Sequence, residues 1–414
     1  MRAWTLYRAP MASYCAFLGN HPQLSVAELA MQFADFAVIK RFPKHVIVFD
    51  TSSEIGQKEF DRLGGTILIA KGIKELGKKE QLADVLVNET SGVKGKVTFA
   101  IRTVGIDKNA VHDLYRIGKN ALKKAGKSAR YVGNEHEPAA LALLKDAELI
   151  NGKGGAEFVL LHDQESGIFW GGKTVAAQDL DAYTKRDMKK PVRDTRVGLL
   201  PPKLAQILLN GGEWMARAAN PKLPKKLTIL DPFCGTGVIP LEALLRHWTV
   251  HGSDASLKAV NGTLKNLEWA RKEYGIPKKD VAASIWKQDA TKAFAMKELP
   301  HLIATETTLG PPLVVRPAIK DAQKMRTSVE EIEIDFLKNV RKTLPGVPVA
   351  LTLPVWMVSS GPLVLERLWK ELPDLGFEAV LPAGLQGDFP ERASLLYRRG
   401  DAVVGREFVF LRQK

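Results

Sequence analysis

Leu227-Thr228-Ile229-Leu230-Asp231-Pro232-Phe233-Cys234-Gly235-Thr236-Gly237 is the stretch that decides the fold of the second half of this chain. An apolar strand runs into an acid and a glycine-rich turn, and a helix is predicted from Val238 to His247. Glycines let the backbone approach a ligand closely, and a helix N-terminus presents unpaired N–H groups. The next strand, Thr249 to Asp254, ends in an acid about 20 residues after the glycines, a spacing that sets a carboxylate on ribose hydroxyls. A third strand, Ala283 to Asp289, ends in another acid, an acceptor for an adenine amino group. Strands alternating with helices predict a parallel sheet, whose carboxyl ends line one crevice. The glycines do not spell G-x-G-x-x-G, so the turn departs from the dinucleotide pattern.

Working outward, Ala393 to Arg398 and Val404 to Leu411 flank a Gly400-Asp401 turn and read as an antiparallel hairpin closing the sheet. Upstream, Pro201-Pro202-Lys203-Leu204 suits a helix start, with Leu204, Ile207 and Leu208 on its apolar face. Residues 185–196 form a basic linker containing Pro191, and Pro221 to Lys226 is a second break. The first half reads as α+β. Strands are expected at 14–19, 45–49, 67–70, 97–101, 129–132, 157–161 and 167–170. Helices are expected at 81–88, 113–127 and 138–144, with a further one capped by Ser25 and Glu28 at capping-box spacing. The expected divisions are 1–75 (a small α+β unit), 76–180 (a second α+β unit), 181–226 (basic linker and first helix of the C-terminal domain) and 227–414 (Rossmann-like).

The formal charge of +14 points to a polyanionic partner, because phosphate neutralisation releases condensed counterions. Two basic constellations are candidates for RNA contact: Arg116, Lys119, Lys123, Lys124, Lys127 and Arg130 on one helix and just after it, and Lys185, Arg186, Lys189, Lys190, Arg193 and Arg196 in the linker. The two cysteines, Cys15 and Cys234, lie far apart and suit a reducing compartment. Residues 1–10 lack the apolar core of a signal peptide, and no apolar run approaches the roughly 20 residues that span a bilayer, so the expected location is the cytoplasm, without membrane association. His21, His112 and His136 lack ligand-pair spacing, and no metal is expected.

Asp-Pro-Phe-Cys-Gly-Thr-Gly resembles motif I of the methyltransferases that modify exocyclic amino groups. Asn266-Leu267-Glu268-Trp269, Thr174 to Asp179, Tyr183-Thr184-Lys185-Arg186-Asp187, Gly198 to Ala205 and Leu18 to Glu28 extend the likeness to the THUMP-domain tRNA guanosine-N2 methyltransferases acting at position 10. That resemblance implies an N-terminal ferredoxin-like and THUMP module gripping tRNA, and a C-terminal Rossmann-like methyltransferase domain using S-adenosyl-L-methionine. It implies that Asp231, Gly235 and Gly237 contact the methionine end, Asp254 the ribose and Asp289 the adenine. Phe233, Cys234, Ala255 and Ala290 beside them complete the candidate cofactor contacts.

The chain departs from the family at motif IV, where [DN]-P-P-[YF] is expected after the fourth strand. Here the segment is Leu302-Ile303-Ala304-Thr305-Glu306-Thr307-Thr308-Leu309-Gly310-Pro311-Pro312. One register puts Glu306 at the acidic position, where a carboxylate polarises the target amine, and makes it the candidate catalytic residue. The other aligns Gly310-Pro311-Pro312-Leu313, restoring the prolines and losing the acid. Three functions follow: a tRNA guanine-N2 methyltransferase, a catalytically degenerate RNA-binding protein of the same fold, or an amino-group methyltransferase acting on DNA or ribosomal RNA.

Overall fold

The computed structural model describes residues 11–134, 137–150, 154–193, 199–400 and 402–414. His136, Arg196 and Gly198 lie outside them. The chain divides into two compact units, residues 1–182 and 183–414.

The first unit runs β1 (Ala12–Leu18), α1 (Pro22–Gln32), β2 (Ala37–Phe42), β3 (Val46–Thr51), α2 (Gln57–Phe60), β4 (Thr66–Leu76), α3 (Leu82–Glu89), β5 (Val97–Val104), α4 (Lys108–Lys124), β6 (Ala129–Tyr131), α5 (Leu141–Asp146), β7 (Gly155–His162) and β8 (Phe169–Ala177). All eight strands join one sheet in the order β2-β3-β1-β4-β8-β7-β5-β6. The boundary expected at residues 75 and 76 falls inside it, because β4 pairs with β8 from Leu68 to Leu76. Buried Cys15, Val48, Ala70, Val159 and Trp170 share one apolar cluster drawn from both sides of that boundary. The edge strand β2 was not expected. It alternates exposed and half-buried residues, and its Lys40 and Arg41 mask the strand pattern.

The capping box expected at Ser25 and Glu28 is corrected. The helix starts at Pro22, with His21 as N-cap, and both residues are buried inside it. The Ser25 hydroxyl donates to the Gly65 carbonyl at 2.7 Å. The Glu28 carboxylate accepts from the Gly64 and Gly65 N–H groups at 2.8 and 2.7 Å. A Cβ on Gly65 would stand 2.8 Å from the Ser25 oxygen, so glycine is required at this close approach.

The second unit follows α6 (Leu180–Met188), which crosses the division, with α7 (Pro202–Ala219), β9 (Thr228–Asp231), α8 (Val238–Leu245), β10 (Thr249–Asp254), α9 (Leu257–Tyr274), β11 (Ala283–Lys287), β12 (Leu302–Glu306), α10 (Ile319–Thr343), β13 (Val349–Val358), β14 (Gly361–Leu363), α11 (Glu366–Glu371), β15 (Phe377–Ala379), β16 (Ser394–Tyr397) and β17 (Val404–Gln413). Its sheet has the order β11-β10-β9-β12-β13-β17-β15. β9 to β13 pair in parallel, and β17 enters antiparallel beside β13. This is a doubly wound, Rossmann-like sheet whose strand order reverses beside β9. β16 pairs antiparallel with β17, as the expected hairpin requires.

The segment expected as a linker and first helix belongs to this second unit from Tyr183 on, and its first part, through Met188, is helical. Two glycines inside α7 let it lie tight on the sheet: a Cβ on Gly211 would meet Phe410 at 2.0 Å, and one on Gly212 would meet Leu302 at 2.8 Å. No helix of the described residues is long and apolar enough to cross a membrane.

Candidate functional site

The carboxyl ends of β9, β10, β11 and β12 open onto one cavity of about 1040 Å³. It is lined by Asp231, Phe233, Cys234 and Gly235 from the first turn, by Asp254-Ala255 and Asp289-Ala290 from the next two strand ends, and by Glu306 and Gly310. The structure therefore brings together every expected cofactor contact except Gly237, which does not line the cavity. Gly237 is the N-cap of α8 with φ of 84°, and a Cβ there would collide with Thr263 at 2.7 Å. It serves close helix packing.

Hydrogen bonds shape the turn. The Gly237 N–H donates to the Cys234 carbonyl at 2.7 Å, and the Gly235 N–H donates to Asp254 Oδ2 at 3.0 Å. Asp254 Oδ1 accepts from the Ser256 N–H at 2.8 Å. Buried Asn266 ties the turn to the chain before α7: its Nδ2 donates to the carbonyls of Thr236 and Val192, and its Oδ1 accepts from the Val192 N–H. That is the physical role of the Asn in Asn266-Leu267-Glu268-Trp269. Asp289 accepts from both the N–H and the hydroxyl of Thr291, which hold its carboxyl below the usual aspartate range.

Asp231 is 2% exposed. Burial pushes its carboxyl up to about 8, against the pull of hydrogen bonds from the Thr305 hydroxyl (2.7 Å) and the Phe233 N–H; the nearby carboxylates of Asp254 and Glu306 add to the rise. Burial raises the Cys234 thiol well above its ordinary value, which removes any nucleophilic thiolate.

Glu306 ends β12, and its Oε1 accepts from Arg406 Nε of β17 at 2.5 Å. Burial raises its carboxyl, and the guanidinium opposes that rise. Of the alternative register only Gly310 reaches the cavity. Pro311 and Pro312 are exposed, and beyond them Val314 is 97% exposed.

The basic candidates separate by environment. Arg116, Lys119, Lys123, Lys124 and Arg130 are exposed, although Arg116 pairs with Asp113 at 3.4 Å and Lys119 Nζ reaches the Tyr115 hydroxyl at 3.3 Å. Lys127 is spent on structure, its Nζ donating to the carbonyls of Thr90, Ser91 and Val93 at the end of α3. In the second unit Lys189 and Arg193 are exposed. Lys185 pairs with Glu273. Arg186 pairs with buried Glu242 at 2.8 Å and stacks over Tyr183. Lys190 is 4% exposed, and burial lowers its ammonium. The reading of Lys127, Arg186 and Lys190 as phosphate contacts is corrected: a run of cations shows charge but not which members fold inward.

Three residues at the site had no sequence signal of their own. Arg406 holds Glu306, Thr305 holds Asp231, and Glu333 of α10 is a buried acid beside Thr307. Tertiary packing alone places them: Arg406 through the pairing of β17 with β13, Thr305 near the end of β12 next to β9, and Glu333 on α10.

A switch-point cavity lined by three successive strand-end acids is the ligand crevice of a doubly wound, Rossmann-like α/β fold. In sequence, the chain is 31% identical over 99 residues to a "Probable tRNA (guanine(10)-N2)-dimethyltransferase" of Methanothermococcus thermolithotrophicus, a stretch covering 24% of this chain and 58% of that relative. The motif-based resemblance thus meets a relative of the expected kind, of which the chain spans little more than half. No family model matches. Among solved structures, TrmN from Thermus thermophilus is similar at a TM-score of 0.49 and 17% identity, covering 98% of this chain and 100% of that one. A possible methylase from Clostridium difficile 630 is similar at 0.42 and 15%, covering 98% and 99%. Likeness at this level bears on neither activity nor substrate.

Proposed function

We propose that this chain is an S-adenosyl-L-methionine-dependent methyltransferase that methylates the exocyclic N2 amine of a guanine in tRNA. The observation that carries the reading is the single cavity joining the glycine turn, the three strand-end aspartates and Glu306. The donor set fits the cofactor. Acids suit a ligand carrying sulfonium and ammonium charge, and a Cβ on Gly235 would meet nothing nearer than 4.0 Å, leaving an open cradle. Asp231 and the Gly235 turn would hold the amino-acid end, Asp254 the ribose and Asp289 the adenine side. When bound, the cofactor supplies an electrophilic methyl group.

The chain's own residues do the rest. Glu306 accepts an N–H of the target amine and stabilises positive charge developing on nitrogen. Arg406 fixes that carboxylate and opposes the rise that burial imposes on it. The cavity wall holds amine and donor in register, and orientation supplies much of the rate. The target base must leave its stack to reach the strand ends. The exposed cations of α4, and residues 76–180 as a THUMP-like module, are proposed to grip tRNA, in a cytoplasm that suits the two buried free cysteines.

A second reading, an RNA-binding protein that keeps the cofactor and has lost turnover, is favoured by the Glu306–Arg406 pair, which already occupies one carboxylate oxygen. Methyl transfer from labelled cofactor to unmodified tRNA, wild type beside Glu306→Ala, separates the two. N2-methylguanosine formed by the wild type and reduced about 10²–10³-fold in the variant supports the enzyme. Cofactor binding with no label on any RNA overturns it.

A further inference from the structure

We propose that a second pocket, adjoining the cofactor cavity, binds a backbone phosphate of the RNA strand being modified; this deepens the tRNA reading above and rests on it. The pocket has a volume of about 460 Å³. Four arginines line it, Arg193, Arg398, Arg399 and Arg406, with Tyr397 among them. The described lining holds one carboxylate, Asp187, which lies 3.9 Å from the buried Lys190 ammonium.

The two cavities share a wall. Arg193 and Leu199 line both, and Arg406 reaches Glu306 with Nε while its Nη2 faces the Leu199 carbonyl at 3.4 Å. Across that wall the charge reverses. The cofactor cavity carries six carboxylates, Asp231, Asp254, Asp289, Glu306, Glu331 and Asp335, against two cations, Arg193 and Lys258. The described lining of the arginine pocket carries four cations against one acid. The first suits a cationic ligand and the second an anion.

Strand pairing builds the second pocket. Tyr397 at the end of β16 lies opposite Arg406 of β17, so the turn that follows brings Arg398 and Arg399 beside it. Arg398 Nη1 lies 3.5 Å from the Ala402 carbonyl, and among the described residues none of Arg193, Arg398 and Arg399 has an ion-pair partner. Guanidinium forks match phosphate oxygens bidentately. An RNA nucleotide whose base enters beside Glu306 thus leaves its backbone at the arginines.

The test uses the full chain and unmodified tRNA. Affinity is measured over a salt series for the wild type, Arg398→Ala/Arg399→Ala and Arg398→Lys/Arg399→Lys, with cofactor titration and melting temperature alongside. The alanine pair is expected to bind tRNA about tenfold more weakly at low salt, with the slope of log affinity against log salt shallower by about 1–2. The lysine pair keeps most of that slope, and cofactor affinity and melting temperature stay within experimental scatter of the wild type. Wild-type binding matched by the alanine pair in affinity and slope would overturn the phosphate pocket alone. A loss of cofactor affinity would also overturn it, reassigning the arginines to the cofactor. A wild type that binds no RNA overturns the pocket together with the tRNA reading.

Discussion

On the β10 and β11 side of the cavity the carboxylates are held by their own neighbours: Asp254 by the Ser256 N–H two residues on and by the Gly235 N–H of the adjoining turn, Asp289 by Thr291. On the β12 side, Glu306 is held by an arginine 100 residues away, on an antiparallel strand two places across the sheet. Asp231, between them, takes one hydrogen bond from Phe233 nearby and one from Thr305 on β12. The first wall is a local structure that any chain with this turn would form. The second exists only when the sheet closes with β17. A carboxylate held by backbone N–H groups is fixed wherever its loop folds. One held by a distant cation is tunable, because a single substitution changes its charge state.

The largest effect should come where the two walls meet. Asp231, pushed up to about 8, is neutral at pH 7, and a cationic ligand favours its ionised form. S-adenosyl-L-methionine should therefore bind more tightly as pH rises from about 6.5 to 8.5, releasing a proton on binding below pH 8. Asp231→Asn cannot ionise, so its affinity should lie about 10- to 100-fold lower at pH 8.5 and be flat with pH. Calorimetric titration in buffers of different ionisation heat measures the proton directly. Equal pH slopes in wild type and variant would remove Asp231 from the cofactor's charge balance.

A smaller effect tests the tunable wall. Arg406 opposes the rise that burial imposes on Glu306, so Arg406→Gln leaves that carboxyl still higher. In the proposed mechanism Glu306 acts as the ionised carboxylate, so the acid limb of the kcat profile should move to higher pH by about one unit, with roughly tenfold less activity below it. Cofactor affinity measured on the first wall should not move. An unshifted acid limb would show that another group controls turnover.

The same contrast explains what was legible. The glycine turn and the acids at 231, 254 and 289 declared themselves because strand, turn and helix signals occur in one short stretch, and their supports are mostly local. The N-terminal helix was legible too, but its Ser25 and Glu28 served a contact to Gly64 and Gly65, 36–40 residues away, rather than the cap their spacing suggested. Arg186 and Lys190 read as solvent-facing because a basic run carries no sign of which members meet a buried acid such as Glu242. Arg406 carried no motif. Its meaning comes from the pairing of β13 with β17, which sets it opposite Pro354, two residues beyond Glu306's own partner Thr352.

Glu333 gives the comparison a third case, a buried acid supported by neither device. It is 1% exposed on α10, and neither carboxylate oxygen finds a donor among the described residues. The adjacent Thr307 hydroxyl already gives its proton to the Thr352 carbonyl at 2.9 Å, so its oxygen can only accept. A neutral carboxylic acid satisfies that arrangement, and burial pushes Glu333 up to about 8. The folded protein then binds a proton that the unfolded chain releases in the ordinary glutamate range. The stability that proton confers is complete below that range and is lost as pH rises toward 8. Glu333→Gln keeps the shape and removes the titration. Its melting temperature should match the wild type near pH 4.5 and exceed it by roughly 5 °C at pH 8. Turnover and cofactor affinity should stay unchanged if Glu333 only underlies the β12 wall. A constant difference in melting temperature across pH would mean that Glu333 is ionised in the fold and that a cation, as at Glu306, supports it.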